Sequence, residues 1–162
     1  MSEAEPRYVG VDCNVLVHAI QRSGPAEAIR RAGWLFEQME QNKQTPLISS
    51  VVVGEYLVGV APEKQDAVLK VFRGRFFLPA YDAAAARVAA ELTRGAADLR
   101  RPDRANDRRL IKADAMIVAV AAVHHAERFV SQDRRCRTLA ERAGLHAEAL
   151  PQDNGNLFEM AD

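Results

Sequence analysis

The sequence is short of cysteine, of net charge and of long apolar runs, and each shortage narrows what the chain can be. Its two cysteines, Cys13 and Cys136, form neither a disulfide framework nor a CxxC pair. As lone thiols they fit a reducing cytosol. Lys plus Arg equals Asp plus Glu at 22 each, so no excess of positive charge announces a nucleic-acid partner. Any such affinity has to come from local placement of charge. The longest fully apolar run, Ala115 to Val123, is half a membrane span. The opening MSEAEP has no basic stretch followed by an apolar one, as an export signal would. These features lead us to expect a soluble cytoplasmic protein with no membrane association. At 162 residues, 48% hydrophobic and 27% charged, the composition is that of one globular domain. We place it over residues 7–150, with a flexible N-terminus (1–6) and a C-terminal tail (151–162). No internal repeat or low-complexity linker interrupts it.

Short β-like runs alternate with helical stretches. Tyr8-Val9-Gly10-Val11 reads as a first strand, followed by a short helix from Val15 to Ile20. Gly24-Pro25 opens a long amphipathic helix carrying Ile29, Ala32, Phe36 and Met39 on one face. Thr45 to Ser49 is a second strand, Val51 to Val60 a helix bounded by Ser49-Ser50 and Gly59, and Glu63 to Arg73 another helix. Phe76-Phe77-Leu78-Pro79 is a short third strand, placed near an edge by its proline. Asp82 caps an alanine-rich helix reaching about Leu99, and Arg100 to Arg109 reads as a polar loop. A helix from Asp114 to His125, a strand from Arg128 to Ser131, a helix from Arg134 to Ala143 and a strand from Leu145 to Leu150 complete the order. Strands separated by helices imply an α/β fold, a parallel sheet covered on both faces. Such sheets bind ligands beyond the carboxyl ends of their strands, at the topological switch point.

Carboxylates fall at that edge. Asp12 ends the first strand, and Asp133 follows the strand Phe129-Val130-Ser131. Taken singly, each is explained as a turn or cap residue. Glu55 shares a helical face with Val51, Val52, Val58 and Gly59. Asp114 shares one with Ile117, Val118 and Ala121, although it also fits a helix N-cap. No Lys or Arg is comparably placed on the apolar face of either helix. A carboxylate buried without a partner costs several kcal/mol, so it needs a cation, a proton or a water-filled cleft. Four acids meeting at one sheet end, with no His or Cys among them, select a hard ion, Mg²⁺ or Mn²⁺, over zinc. Such a site suits hydrolysis at phosphorus. Asn14 and Ser131 stand ready to hold the ligands or a water by hydrogen bonds.

The segments VDCNVLVHA, SSVVVGEYLVG, IKADAMIVAVA and FVSQDRR, in that order, resemble the four acidic signatures of PIN domains. They look most like the compact toxins of VapBC toxin–antitoxin systems, and the likeness runs from Tyr8 to Leu150. The resemblance implies a three-layer α/β/α fold whose five-stranded parallel sheet has the order 3-2-1-4-5. It implies a metal-dependent endoribonuclease that cuts RNA, a habit of homodimerising, and a cognate antitoxin. The antitoxin would lay an extended segment across the cleft and present an Arg or Lys to the carboxylates. By the same resemblance Asp12 and Asp114 are the most direct metal ligands, Asp133 is a third, and Glu55 acts through water or a second ion. Cys136 stands where many relatives carry an aromatic, and the Arg100 to Arg109 stretch is longer than in the smallest of them.

Within that stretch Arg104, Arg108 and Arg109 are candidate phosphate contacts. The interspersed Asp98, Asp103 and Asp107 equally allow a solvated, self-compensating loop. His124 and His125 suit a helix end, and Trp34, Phe36 and Met39 suit the core better than a base-stacking platform. A dehalogenase-like phosphatase would need a second Asp two residues after the first, where Asn14 stands. A receiver domain would need an Asp ending the third strand, where Leu78-Pro79-Ala80 stands. A housekeeping RNA-processing PIN nuclease and a non-catalytic PIN-like binding module remain as alternatives, the second expected to have lost one of the acids.

Overall fold

Val9 and Val11 give the first strand its β-branched stiffness, and Gly10 between them lets a helix come close. The computed structural model describes residues 5–101 and 106–152. The expected flexible N-terminus and C-terminal tail lie largely outside them. Four strands are described, β1 (Arg7–Val11), β2 (Gln44–Leu47), β3 (Arg128–Val130) and β4 (His146–Glu148), in one parallel sheet of order β2-β1-β3-β4. The helices are α1 (Cys13–Ala19), α2 (Ala26–Gln41), α3 (Ser50–Val58), α4 (Pro62–Arg75), α5 (Ala83–Arg94), α6 (Asp107–Val123) and α7 (Arg134–Arg142). A single 3₁₀ turn, Ala97–Leu99, follows α5.

Successive strand residues point to opposite faces, and Val9, Gly10 and Val11 are all buried, as are Phe129 and Val130. Both faces of the sheet are therefore covered, as expected of parallel strands joined by helices. The chain passes from β1 to β2 on one side and returns to β3 on the other. The carboxyl ends of β1 and β3 are thus neighbours, joined where the Asp12 N–H donates to the Val130 carbonyl at 3.1 Å. That is the switch point of the sheet.

Three boundaries differ from the expectation, the first being the alanine-rich helix, which stops at Arg94 with Gly95 as its C-cap and gives way to the 3₁₀ turn instead of running on to Leu99. The segment Phe76 to Pro79 lies beside β2 at the expected edge, but pairs only through one bridge between Leu47 and Phe77. The Ile48 N–H donates to the Phe77 carbonyl at 2.9 Å, and the Phe77 N–H to the Pro46 carbonyl at 3.0 Å. Prolines at 46 and 79 remove the donors a longer ladder would need, so the sheet has four full strands with the predicted order otherwise intact. The stretch expected as a loop to Arg109 ends earlier: α6 begins at Asp107. Asp114 consequently lies inside a helix and is not its N-cap.

Helix α6 is the central buried helix, with Ile111, Ala115 and the run Ile117 to Ala121 removed from water. It seats against β1 at Gly10, where a Cβ would fall 3.0 Å from Ala121 Cβ and 2.7 Å from Phe129 Cδ2. Phe129 is fully enclosed and has nowhere to turn. Gly10→Ala is expected to cost about 1–3 kcal/mol by overpacking, with an unchanged denaturant m-value. Urea unfolding of the two proteins checks this, and a cost below about 0.5 kcal/mol would mean that helix and strand are less tightly seated than described.

Candidate active site

The central strand β1 ends on Asp12, and the chain turns at once into α1. Asp12 adopts an extended backbone there and caps the helix, its Oδ1 accepting the Cys13 N–H at 2.7 Å. Its other oxygen accepts from the Ser131 hydroxyl at 2.6 Å and the Asn14 amide at 3.0 Å. Ser131 is fully buried just beyond β3, and its Oγ also accepts the Asp133 N–H at 3.0 Å. The Asn14 carbonyl oxygen accepts the Gln132 N–H at 3.2 Å, which fixes the amide with its NH₂ toward Asp12. Asn14 and Ser131 therefore bind together the ends of the two neighbouring strands.

Asp133 caps α7, accepting the Arg135 N–H at 2.8 Å and the Cys136 N–H at 3.4 Å. Its carboxylate remains 44% exposed, so the cap leaves it open to solvent and ligands. Asp114 projects from the face of α6 that also carries Ile117, Val118 and Ala121, all buried. Glu55 sits differently from the expectation. Helix α3 is anchored through Val52 and Tyr56, the latter edge-on to Phe72 at 5.1 Å. This turns Val58 outward to 89% exposure and leaves Glu55 on the flank of the helix, not within its apolar face.

The field of Asp12 reaches Glu55 and Asp114, and that of Asp133 reaches Asp12 and Asp114. Burial pushes the Asp12 carboxyl up, opposed by its hydrogen bond to Ser131. Burial, then the charge of Asp12 and that of Asp114, pushes Glu55 up to about 7. Solvent reaches Glu55 and screens part of this effect, so Asp114 is the more firmly perturbed group. Burial pushes Asp114 up to about 6, against the pull of Arg135 and with the repulsion of Asp12 and Asp133. The same charges hold the neighbouring thiols neutral: burial first, then Glu55 and Asp12, pushes Cys13 up to about 12. Cys136, fully enclosed, is raised as well, first by burial and then by Asp12, Asp114 and Asp133.

Two members of this cluster were not legible as such. Arg135, in the first turn of α7, places Nε and Nη2 each 3.0 Å from Asp114 Oδ2 and Nη1 3.3 Å from Asp107 Oδ1. It is the cation that the sequence did not show beside α6, because it arrives from a different helix. A cation in a helix's first turn opposes the macrodipole, and that misplacement is the available signal. Asp107 is buried at 3%, and its carboxylate also accepts the Arg101 N–H and pairs with the Arg101 guanidinium at 3.4 Å. Of the candidate phosphate contacts, Arg108 and Arg109 are exposed on the first turn of α6, while Arg104 lies outside the described residues. The self-compensating alternative holds in part: Asp107 pairs with Arg101, and Asp98 pairs with Arg142 at 2.5 Å. His124 ends α6 with its ring edge-on to Phe77 at 5.2 Å.

The sequence profile of the PIN domain matches residues 9–142, most of the chain. The protein belongs to the PIN domain family. Among solved structures, VapBC2 from Rickettsia felis bound to a DNA fragment from its promoter superimposes with a TM-score of 0.61 at 20% identity, covering 89% of this chain and 98% of that one. DNA-bound VapBC from Salmonella typhimurium gives 0.55 at 23%, covering 90% and 99%. FitAcB from Neisseria gonorrhoeae gives 0.55 at 15%, covering 86% and 95%. At these identities the likeness is one of fold. No curated protein matches the sequence. No helix among the described residues of this PIN domain is long and apolar enough to cross a membrane.

The donor set of this PIN domain, oxygens only and mutually repelling, fits a hard divalent ion in its chemistry. As placed, no three His, Cys, Asp or Glu side chains among the described residues stand close enough to enclose one. Arg135 engages one Asp114 oxygen instead. Without divalent ions, the raised Asp114 carboxyl has a direct thermodynamic consequence. The folded protein retains this proton up to about 6, whereas the unfolded chain releases it near 3.8. Stability contributed by the proton is complete below the lower value and is lost as pH rises through the higher one. In EDTA, the Asp114→Asn variant should therefore gain stability relative to the parent as pH is raised from 4 to 7.5. Melting curves of both proteins across that range check it, and parallel curves would remove the perturbed carboxyl.

Proposed function

We propose that the protein is a metal-dependent endoribonuclease that hydrolyses RNA phosphodiester bonds, and that it is the toxin of a type II toxin–antitoxin pair. The observation that carries the reading is Asp12, only 6% exposed at the carboxyl end of the central strand, with Asp114, Glu55 and Asp133 in its field. Membership of a family whose members are in general nucleases supports it. Asp12 and Asp114 would hold Mg²⁺ or Mn²⁺ directly, Asp133 would be a third ligand, and Glu55 would act through water or a second ion. The bound ion supplies charge neutralisation at phosphate and lowers the pKa of an attacking water. Ser131 and Asn14 orient the Asp12 carboxylate by their hydrogen bonds. Arg108 and Arg109, exposed on the turn that leads toward Asp114, supply phosphate contacts, together with Arg104.

The partner half of the proposal draws support from the fold shared with the VapBC and FitAcB complexes. It also draws on an apolar groove of about 640 Å³ between α1, α2 and α4, where Ile20, Phe36, Met39, Val71 and Phe76 line the wall. Ile20 and Val71 are 39% and 49% exposed there, suited to receive an apolar segment of an antitoxin. Homodimerisation and cytoplasmic residence belong to the same proposal.

Three measurements test it. Mn²⁺ should raise the melting temperature, by about 2.7 kcal/mol in stability at a hundredfold excess over Kd, and cleavage of RNA should stop in EDTA. Asp12→Asn and Asp114→Asn should reduce cleavage to background while remaining folded, since an amide is a poor ligand for a hard ion. Cleavage that persists in EDTA, or an active Asp114→Asn protein, would overturn the metal mechanism. For the basic turn, replacing Arg108 and Arg109 together by Ala should weaken RNA binding and lower the slope of log K against log salt by about 1–2. An unchanged slope would return the turn to a solvated role.

A further inference from the structure

We propose that Arg135 is a built-in counter-cation of the acid cluster, holding Asp114 when no divalent ion does and competing with that ion for it. The inference rests on the metal-dependent reading above. Three carboxylates surround one guanidinium: Asp114 at 3.0 Å, Asp107 at 3.3 Å and Asp133 at 4.0 Å. The side chain is 10% exposed, so these contacts act with little screening by water. Its Nε and Nη2 both point at Asp114 Oδ2, while Nη1 turns to Asp107.

Asp107 gives the arrangement its second foothold. It lies two helical turns before Asp114 on α6, so both carboxylates project from the same side of the helix toward α7. It is itself fixed, because the Arg101 N–H and guanidinium hold it from the other side. Arg135 is therefore not tethered to Asp114 alone. When a divalent ion takes Asp114, the guanidinium keeps a paired carboxylate without leaving the helix, which makes exchange between the two cations feasible at modest cost. Arg135 sits in the first turn of α7, where the helix dipole disfavours a cation, so the acids and not the helix keep it in place.

A purely positioning role, in which Arg135 aims Asp114 at the ion, predicts the opposite sign for its removal. The experiment is calorimetric titration of Mn²⁺ into the full chain without RNA. Arg135→Gln should bind Mn²⁺ more tightly than the parent, by on the order of tenfold, and should melt lower than the parent in EDTA. Asp107→Asn provides the second arm. The amide retains an acceptor for the Arg101 N–H but releases Arg135 from its competing anchor, so Arg135 should grip Asp114 harder and Mn²⁺ should bind more weakly. Tighter binding in the first variant, or weaker binding in the second should the first fail to fold, supports the proposal. Unchanged or weaker Mn²⁺ binding by folded Arg135→Gln, or unchanged or tighter binding by Asp107→Asn, overturns it. Absence of Mn²⁺ binding in parent and variants alike would overturn the metal reading itself, a distinct result.

Discussion

A carboxylate drawn almost out of water at the end of the central strand is the constraint around which this structure is organised. Burying an ionised group costs several kcal/mol, and Asp12 meets that cost with hydrogen bonds from Cys13, Asn14 and Ser131. Each donor has a second task. The Cys13 N–H begins α1. Ser131 ends the segment after β3 and receives the Asp133 N–H that begins α7. Asn14 reaches across to Gln132. One buried carboxylate thus fixes the ends of two strands and the starts of two helices. The position of Asp133 relative to Asp12 follows from that network.

The two ends of the sheet treat charge in opposite ways. At the amino ends of β1, β2 and β3, charges are matched: Arg7 with Glu127 at 2.6 Å, while Gln44 donates to Glu127 at 2.7 Å, and Arg128 reaches along the sheet to Glu148, the last residue of β4, at 2.5 Å. Arg7 and the Glu127 it holds are largely exposed, a setting in which ion pairs contribute little to stability and leave no field to act on a ligand. At the carboxyl ends, three carboxylates, Asp107, Asp114 and Asp133, share the Arg135 guanidinium, Asp107 also pairs with Arg101, and Asp12 lies close enough for its charge to act on Glu55. Burial first, and then the repulsion of the neighbouring acids, raises Glu55 to about 7 and Asp114 to about 6. Perturbed carboxyls of this kind cluster at functional sites.

Much of this was legible in sequence because the elements that carry it are strongly patterned. Val9 and Val11 flank Gly10 and lead straight into Asp12, and a strand that short and apolar has its polar terminus at the sheet edge. The Asp114 face was legible from Ile117, Val118 and Ala121 at helical spacings. What failed did so for tertiary reasons. The Glu55 face was misread because α3 is oriented by Tyr56 against Phe72, a contact that the local spacing of valines does not encode. The start of α6 was placed too late because polar residues from Asp107 to Arg109 carry no apolar period, and the burial of Asp107 by Arg101 and Arg135 came from outside the helix. Arg135 was missed because a partner arriving from another element cannot be found by searching the face of one.

Structural and chemical duties are distributed unequally among the acids, and that inequality says where to look for function. Asp12 and Asp133 both cap helices, so their presence has a structural return whatever else they do. An explanation of either as a mere cap is correct and incomplete. Asp114 and Glu55 have no such return: neither caps a helix, and both carry raised pKa values that mark the charged form as unfavourable in the fold. A sequence that specifies one structure would ordinarily replace such groups by apolar or neutral ones. Their presence beside Asp12 has no rationale in packing. The divalent ion proposed above would give it one.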